Sequence, residues 1–201
     1  AVPLNHQYTD AIDEIAAWVL WLGEQGAGGI VLMGHSRGGN QTAWYMAENN
    51  DQRVRGGVLI APATWDPDRT AEGYQRRYNK QLPRLLEDMK QRVASGKGEE
   101  MIRDIDLLFC PKAAVTADAF VSYYGDNPMK DTPVTLTRVT KPVMVIAGSE
   151  DTVVVDLIEK MTKAALQGVR LEVVDGAGHF FRDLYADDIA DLTEDFIKNL
   201  P

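Results

Sequence analysis

The chain has 201 residues, of which 45% are hydrophobic, so it is long enough for one domain with a substantial core and an insertion. Its net charge of −9 disfavours nucleic acid and anionic membrane surfaces as partners, because both are negatively charged. The single cysteine, Cys110, cannot form an internal disulfide, which predicts a cytoplasmic location; we interpret it as a small buried hydrophobic side chain. The strongest apolar run, residues 15–22, is too short to span a bilayer, and no signal peptide is recognisable.

Strands and helices are predicted to alternate along most of the chain. Short apolar runs typical of buried strands are followed or preceded by segments with the 3.6-residue apolar spacing of helices. The predicted strands are 30–33, 57–61, 142–147 and 169–174, and the predicted helices around them are 9–25, 39–49, 155–166 and 184–200. This alternation predicts a parallel α/β sheet.

Residues 64–140 interrupt the alternation. They contain 12 acidic and 12 basic residues, whereas the rest of the chain contains 18 and 9. Helical patterns are predicted near 70–81, 84–94, 99–108 and 116–124. The sequence therefore predicts a core formed by residues 1–63 and 141–201, with a helical insertion at 64–140.

A nucleophile motif lies between the first predicted strand and the following helix. Residues 34–38 read G-H-S-R-G and match G-x-S-x-G, in the strand–turn–helix context that this motif requires. Flanking glycines permit a sharp turn, and the helix N-terminus places positive charge near a developing oxyanion. Ser36 is therefore a candidate nucleophile; the alternative is a serine that caps the helix.

A serine nucleophile needs a base and a group that orients the base. Of the three histidines, His35 adjoins the serine and His6 precedes the first helix, whereas His179 follows the last strand. The acid should lie between the serine and the histidine in sequence. Asp151, after the penultimate strand, is the candidate, and its neighbour Glu150 is the alternative.

These three segments, in this order, resemble the α/β-hydrolase fold over nearly the whole chain. The resemblance implies a mostly parallel sheet flanked by helices, with 64–140 as a helical cap before the penultimate strand. It implies Ser36 as nucleophile, Asp151 as acid, His179 as base and the Arg37 backbone N–H as an oxyanion donor. A serine rather than an aspartate argues against epoxide hydrolases and haloalkane dehalogenases of this fold.

The reaction that the resemblance implies is hydrolysis of a small carboxylic ester or thioester through an acyl-enzyme (EC 3.1.1), without metal or cofactor. Amide, lactone and carbon–carbon cleavage and perhydrolysis use the same triad and stay open. So do a catalytically inactive binding module and an inactive fragment of a longer hydrolase. Candidate pocket residues are His35, Trp65 and Phe180. Aromatic side chains of the insertion either line an acyl pocket or form its core: Tyr74, Tyr78, Phe109, Phe120, Tyr123 and Tyr124.

The chain departs from the family at its N-terminal end. Only 29 residues precede Ile30, and they contain one predicted helix, so the usual N-terminal strands and the loop that supplies the second oxyanion donor have no counterpart. Strand 30–33 would then have one unpaired edge, which is an aggregation hazard. We expect either that the chain is the C-terminal part of a longer protein, or that a second copy or another chain covers this edge.

Overall fold

A computed structural model describes residues 3–201, which form two compact units. The first unit comprises residues 3–11 and Asp66–Asn127, and the second comprises Ile12–Trp65 and Pro128–Pro201. Relative to the predicted insertion at 64–140, residues 64–65 and 128–140 belong to the second unit, and a short N-terminal segment belongs to the first.

The second unit contains a four-stranded parallel sheet. Its strands are β2 (Ile30–His35), β3 (Val54–Ile60), β6 (Val143–Gly148) and β7 (Val169–Val174), in the order β2-β3-β6-β7. The central strand β6 is buried along its whole length, as its continuous apolar sequence predicts for a strand covered on both faces. All four predicted strands are confirmed.

Four helices accompany these strands as predicted: α1 (Asp10–Glu24), which begins in the first unit, α2 (Arg37–Glu48), α7 (Leu157–Ala164) and α8 (Tyr185–Lys198). The second unit also contains the short α6 (Thr132–Leu136) and a 3₁₀ turn at Pro128–Lys130, which the sequence did not predict. Helix α8 packs its apolar side, including Phe196, Ile189 and Leu192, against a core that contains Val58 and Ile146 of the sheet. The acidic residues of α8 lie on its other side, as its sequence periodicity indicates.

The first unit combines helices with a small sheet. Its helices are α3 (Pro67–Tyr78), α4 (Leu82–Ala94) and α5 (Ala117–Tyr124), and its sheet has the order β1-β5-β4, with β1 at Pro3–Leu4, β4 at Met101–Leu107 and β5 at Cys110–Thr116. The core of this unit includes Tyr74, Phe120 and Tyr124, and Tyr78 and Tyr123 pack against it. These aromatic residues therefore form core.

Two predictions for this region are wrong. Residues 99–108 do not form a helix, because β4 pairs antiparallel with β5 and the two strands meet at a tight turn at Leu108 and Phe109. The apolar spacing in 101–108 fits either structure, and the pairing with β5 decides between them. Cys110 is exposed rather than buried, because it lies at the turn end of this hairpin.

Candidate active site

The serine of the G-x-S-x-G motif lies in a strained turn. Ser36 connects the end of β2 to the start of α2 with φ 55° and ψ −123°, a backbone conformation that is rare for residues other than glycine. The turn is fixed by hydrogen bonds, because the Ser36 N–H donates to the Ile60 carbonyl (2.8 Å) and the Ser36 carbonyl accepts from Ala63 (2.9 Å). A Cβ atom on Gly34 would lie 2.5 Å from the Gly38 carbonyl oxygen, so the tight turn requires glycine at position 34.

His179 lies beside this serine. It belongs to the segment between β7 and α8, residues 175–184, which we call the base loop. Its Nε2 lies 3.0 Å from the Ser36 Oγ, and its Nδ1 lies 2.8 Å from Asp151 Oδ2. Since a carboxylate only accepts hydrogen bonds, Nδ1 carries the proton, and Nε2 of the neutral ring accepts the serine O–H.

Asp151 is held by its own loop, residues 149–156, which we call the acid loop. Its Oδ1 accepts hydrogen bonds from the backbone N–H groups of Val153 (2.7 Å) and Val154 (2.9 Å), and its Oδ2 is left for His179. The side chains of Asp151 and His179 are each only 5% exposed, so their interaction is shielded from water. The structure thus pairs His179 with Asp151 and not with the alternative Glu150, whose side chain is exposed.

The acid and base loops are also joined through Ser149. Its backbone N–H donates to the Val174 carbonyl (3.1 Å). Its hydroxyl accepts from the Gly176 N–H (2.8 Å) and interacts with the Asp175 carboxylate (3.1 Å). The acid loop and the base loop, which carry the candidate acid and base, therefore form one hydrogen-bonded assembly.

The candidate pocket residues lie in different surroundings. His35 is exposed, and its ring centroid lies 4.8 Å from that of His179. Phe180 is 63% exposed, and its ring centroid lies 5.1 Å from that of His179. Trp65 is half-buried, and its ring faces the Lys130 ammonium at 4.6 Å. Arg37 begins α2, so its backbone N–H lies at the positive end of that helix, beside Ser36.

The second unit contains a charged cluster that the sequence did not predict. Lys160 Nζ lies 2.9 Å from Asp131 Oδ1 and 3.1 Å from Asp156 Oδ2, and it donates to the Trp65 carbonyl at 3.0 Å. Asp156 also accepts a hydrogen bond from the Thr64 hydroxyl. Burial alone lowers the pKa of Lys160, but its hydrogen bonds to the two aspartates raise the pKa above its usual value. The four-residue spacing of Asp156 and Lys160 was a sequence signal for one of these pairs.

Within residues 3–201, no helix has the length and apolar character needed to cross a membrane. Over the same residues, no group of three or more His, Cys, Asp or Glu side chains has the arrangement of a metal site.

A family model described as the alpha/beta hydrolase family matches residues 2–192 of the chain. No curated protein matches it. Among solved structures, the monoacylglycerol lipase of Paleococcus ferrophilus is similar with a TM-score of 0.64 at 16% identity, over 97% of this chain and 77% of that protein. The alpha/beta hydrolase GrgF from Penicillium sp. sh18 is similar with a TM-score of 0.63 at 16% identity, over 98% and 73% of the two chains. E-2-(Acetamidomethylene)succinate hydrolase is similar with a TM-score of 0.61 at 19% identity, over 98% and 76%.

Proposed function

Because the chain belongs to the alpha/beta hydrolase family, we propose that it is a serine hydrolase that cleaves a carboxylic ester or thioester through an acyl-enzyme. One observation carries this proposal: hydrogen bonds run without interruption from the Ser36 hydroxyl through the His179 ring to the Asp151 carboxylate. A serine is a poor nucleophile by itself, and this arrangement supplies the base and the orienting group that it needs.

The proposed reaction has two halves. His179 Nε2 takes the proton of the Ser36 hydroxyl as Oγ attacks the substrate carbonyl, and then gives this proton to the leaving group. Water next attacks the acyl-serine ester, with His179 again as the base, and releases the acid and the free serine. Asp151 holds the ring in the tautomer with the proton on Nδ1 and stabilises the imidazolium that forms in each half.

The oxyanion of the tetrahedral intermediate needs hydrogen-bond donors. The backbone N–H of Arg37 is the proposed donor, because it adjoins Ser36 at the N-terminus of α2. A preorganised donor of this kind contributes about 10²–10³ in rate.

Apolar side chains adjoin the residues of the proposed triad. Phe180 follows His179 and Val153 lies two residues after Asp151, and both side chains are more than half exposed. These groups favour an ester with an apolar acyl or alkyl part over a highly charged substrate. The solved monoacylglycerol lipase and other hydrolases of similar fold are consistent with a carboxylesterase-type activity. Trp65 and His35 are further candidates for this pocket.

Covalent labelling tests the proposal. The wild type and Ser36→Ala are treated with a fluorophosphonate and their intact masses are compared. We expect one added probe on the wild type and none on the variant. In a separate assay, the unlabelled wild type should hydrolyse p-nitrophenyl esters with a preference in acyl length. We expect Ser36→Ala to lower kcat at least ~10⁴-fold. Turnover that survives this substitution would overturn the assignment of Ser36.

The competing function is a binding module that has the hydrolase fold without its chemistry. A folded wild type that takes up no probe would favour this function or an inactive fragment. Substrates with an amide, lactone or activated carbon–carbon bond belong in the same screen, because they react through the same residues.

The predicted cytoplasmic location rests on the single cysteine, and cell fractionation tests it.

We further propose that another strand covers the free edge of β2, either from a second copy or from residues upstream in a longer protein. Within residues 3–201, β2 pairs only with β3, and the exposed Met33 lines an apolar groove with Ile189 and Ile197 of α8. Light scattering on the wild type and on Met33→Lys separates the two sources. A dimer that dissociates in the variant indicates a second copy, whereas a monomeric wild type excludes it.

A further inference from the structure

His35 makes a specific contact with the proposed base. Its Nε2 lies 2.8 Å from the backbone carbonyl oxygen of His179. A carbonyl oxygen only accepts hydrogen bonds, so Nε2 of His35 carries a proton and donates it. Both the neutral ring with its proton on Nε2 and the imidazolium provide this donor, so the contact survives a change in the charge of His35.

We infer that His35 is a positioning residue that holds the main chain of His179 at the distance from Ser36 that proton transfer requires; this inference rests on the proposed function. His35 and Ser36 are consecutive, so one short segment carries both the nucleophile and the group that holds the base. One hydrogen bond joins this segment to the His179 side chain and another joins it to the His179 backbone. Together they close a small ring of contacts that restricts movement of Nε2 relative to Oγ.

The conformation of the base loop explains why such an anchor matters. Phe181 and Asp183 have φ values of 43° and 59°, which are unfavourable for residues with a Cβ. Upstream of His179, the loop is joined to the acid loop through Ser149. The bond from His35 joins the loop directly to the turn that carries the nucleophile, and opposes relaxation of the strained segment away from Ser36.

The aromatic contacts of His35 make its two possible roles separable. Its ring packs against those of His179 and Phe180, with centroid distances of 4.8 and 5.9 Å. A phenylalanine at position 35 preserves a ring of similar size but has no donor, whereas a glutamine preserves an N–H donor without the ring. A residue that only lined a substrate pocket would mainly affect KM, whereas a positioning residue mainly affects kcat.

The test compares His35→Phe and His35→Gln with the wild type. The measurements are kcat and KM for the best p-nitrophenyl ester and the rate of fluorophosphonate labelling. We expect His35→Phe to lower kcat and the labelling rate about tenfold with little change in KM, since one neutral hydrogen bond is lost. His35→Gln should recover most of the loss. A matched control is His6→Phe, because the His6 ring also interacts by a hydrogen bond, with the Tyr123 hydroxyl in the first unit, and this variant should keep the wild-type kcat.

A double-mutant cycle of His35 and His179 measures whether the effect of His35 on the rate passes through His179, which a general effect on stability would not require. In a His179→Ala background, His35→Phe should have no further effect on the residual rate, because the proposed effect of His35 passes through His179. An additive loss in this background would overturn the inference, as would a wild-type kcat in His35→Phe. If the wild type is labelled and both His35 variants are labelled and turn over substrate at the same rates as the wild type, only this inference is rejected. A wild type that cannot be labelled would reject the proposed function and the inference with it.

Discussion

The backbone N–H of Glu150 donates a hydrogen bond to the carbonyl oxygen of Ala177 at 2.9 Å, and so joins the acid loop to the base loop one residue before Asp151 and two residues before His179. The close approach depends on Gly148 at the end of β6. A Cβ atom at this position would lie 2.2 Å from the same Ala177 carbonyl oxygen. The relative placement of Asp151 and His179 therefore depends on the absence of a side chain three residues before the acid.

Gly148→Ala should displace the base loop. The added methyl group meets backbone, which cannot rotate away, so we expect a loss of about 1–3 kcal/mol in the free energy of unfolding, together with slower labelling of Ser36. Urea denaturation and labelling kinetics measure the two effects. Gly28→Ala is the matched control, because apart from its own chain neighbours no residue has a heavy atom within 4 Å of the Cβ position there. Equal stability of the two variants would contradict this packing argument.

Asp151→Asn should reduce activity while the protein stays folded. The amide oxygen can still accept from Val153 and Val154, but the amide nitrogen cannot accept the Nδ1 proton of His179 and favours the wrong tautomer. We expect kcat to fall about 10⁴-fold with little change in the free energy of unfolding. Glu150→Gln is the control and should be close to wild type. If this control lost activity and Asp151→Asn did not, Glu150 would be the acid.

Lys160→Met should destabilise the protein. Removal of the ammonium group leaves two mostly buried carboxylates, Asp131 and Asp156, without their shared counter-ion. Since Lys160 is itself 28% exposed, we expect a loss of about 2 kcal/mol, below the range for a fully buried pair. Lys163→Met, at an exposed position on the same helix, should change stability by less than about 0.5 kcal/mol. Chemical denaturation at pH 7 compares the two variants.

Asp51→Asn should reveal a carboxylate that stabilises the fold. Hydrogen bonds from the Arg53 side chain and backbone lower the pKa of Asp51 to about 2. A depressed pKa stabilises the folded state above the carboxyl's unfolded value near 4, and this contribution disappears as the pH falls through about 2. After allowance for solvent screening, we expect the variant to lose about 1 kcal/mol at pH 7. Its stability should converge with that of the wild type near pH 2, whereas the exposed Asp13→Asn should track the wild type throughout.

Local signals in the sequence were sufficient for the sheet and for the order of the candidate residues. Buried strands are continuous apolar runs, and the glycine at 34 marks a turn that only a residue without a side chain can form. The contact of His179 with Asp151 rather than Glu150 needed the structure, because the side chains of neighbouring loop residues point in different directions and no local sequence pattern shows which. The same limit applies to Cys110, whose exposure follows from its place in a hairpin.

The sequence by itself determined the four parallel strands, the helices around them, and the order of the candidate serine, acid and base, since each depends on residues close together in the chain. Only the tertiary structure decided that residues 101–116 form a hairpin, that Lys160 lies between two aspartates, and that the His35 ring forms a hydrogen bond with the backbone carbonyl of His179. Each of these is a contact whose partner is specified elsewhere in the sequence. Periodicity and motifs describe one segment at a time, whereas the energy of these contacts depends on which segments folding brings together.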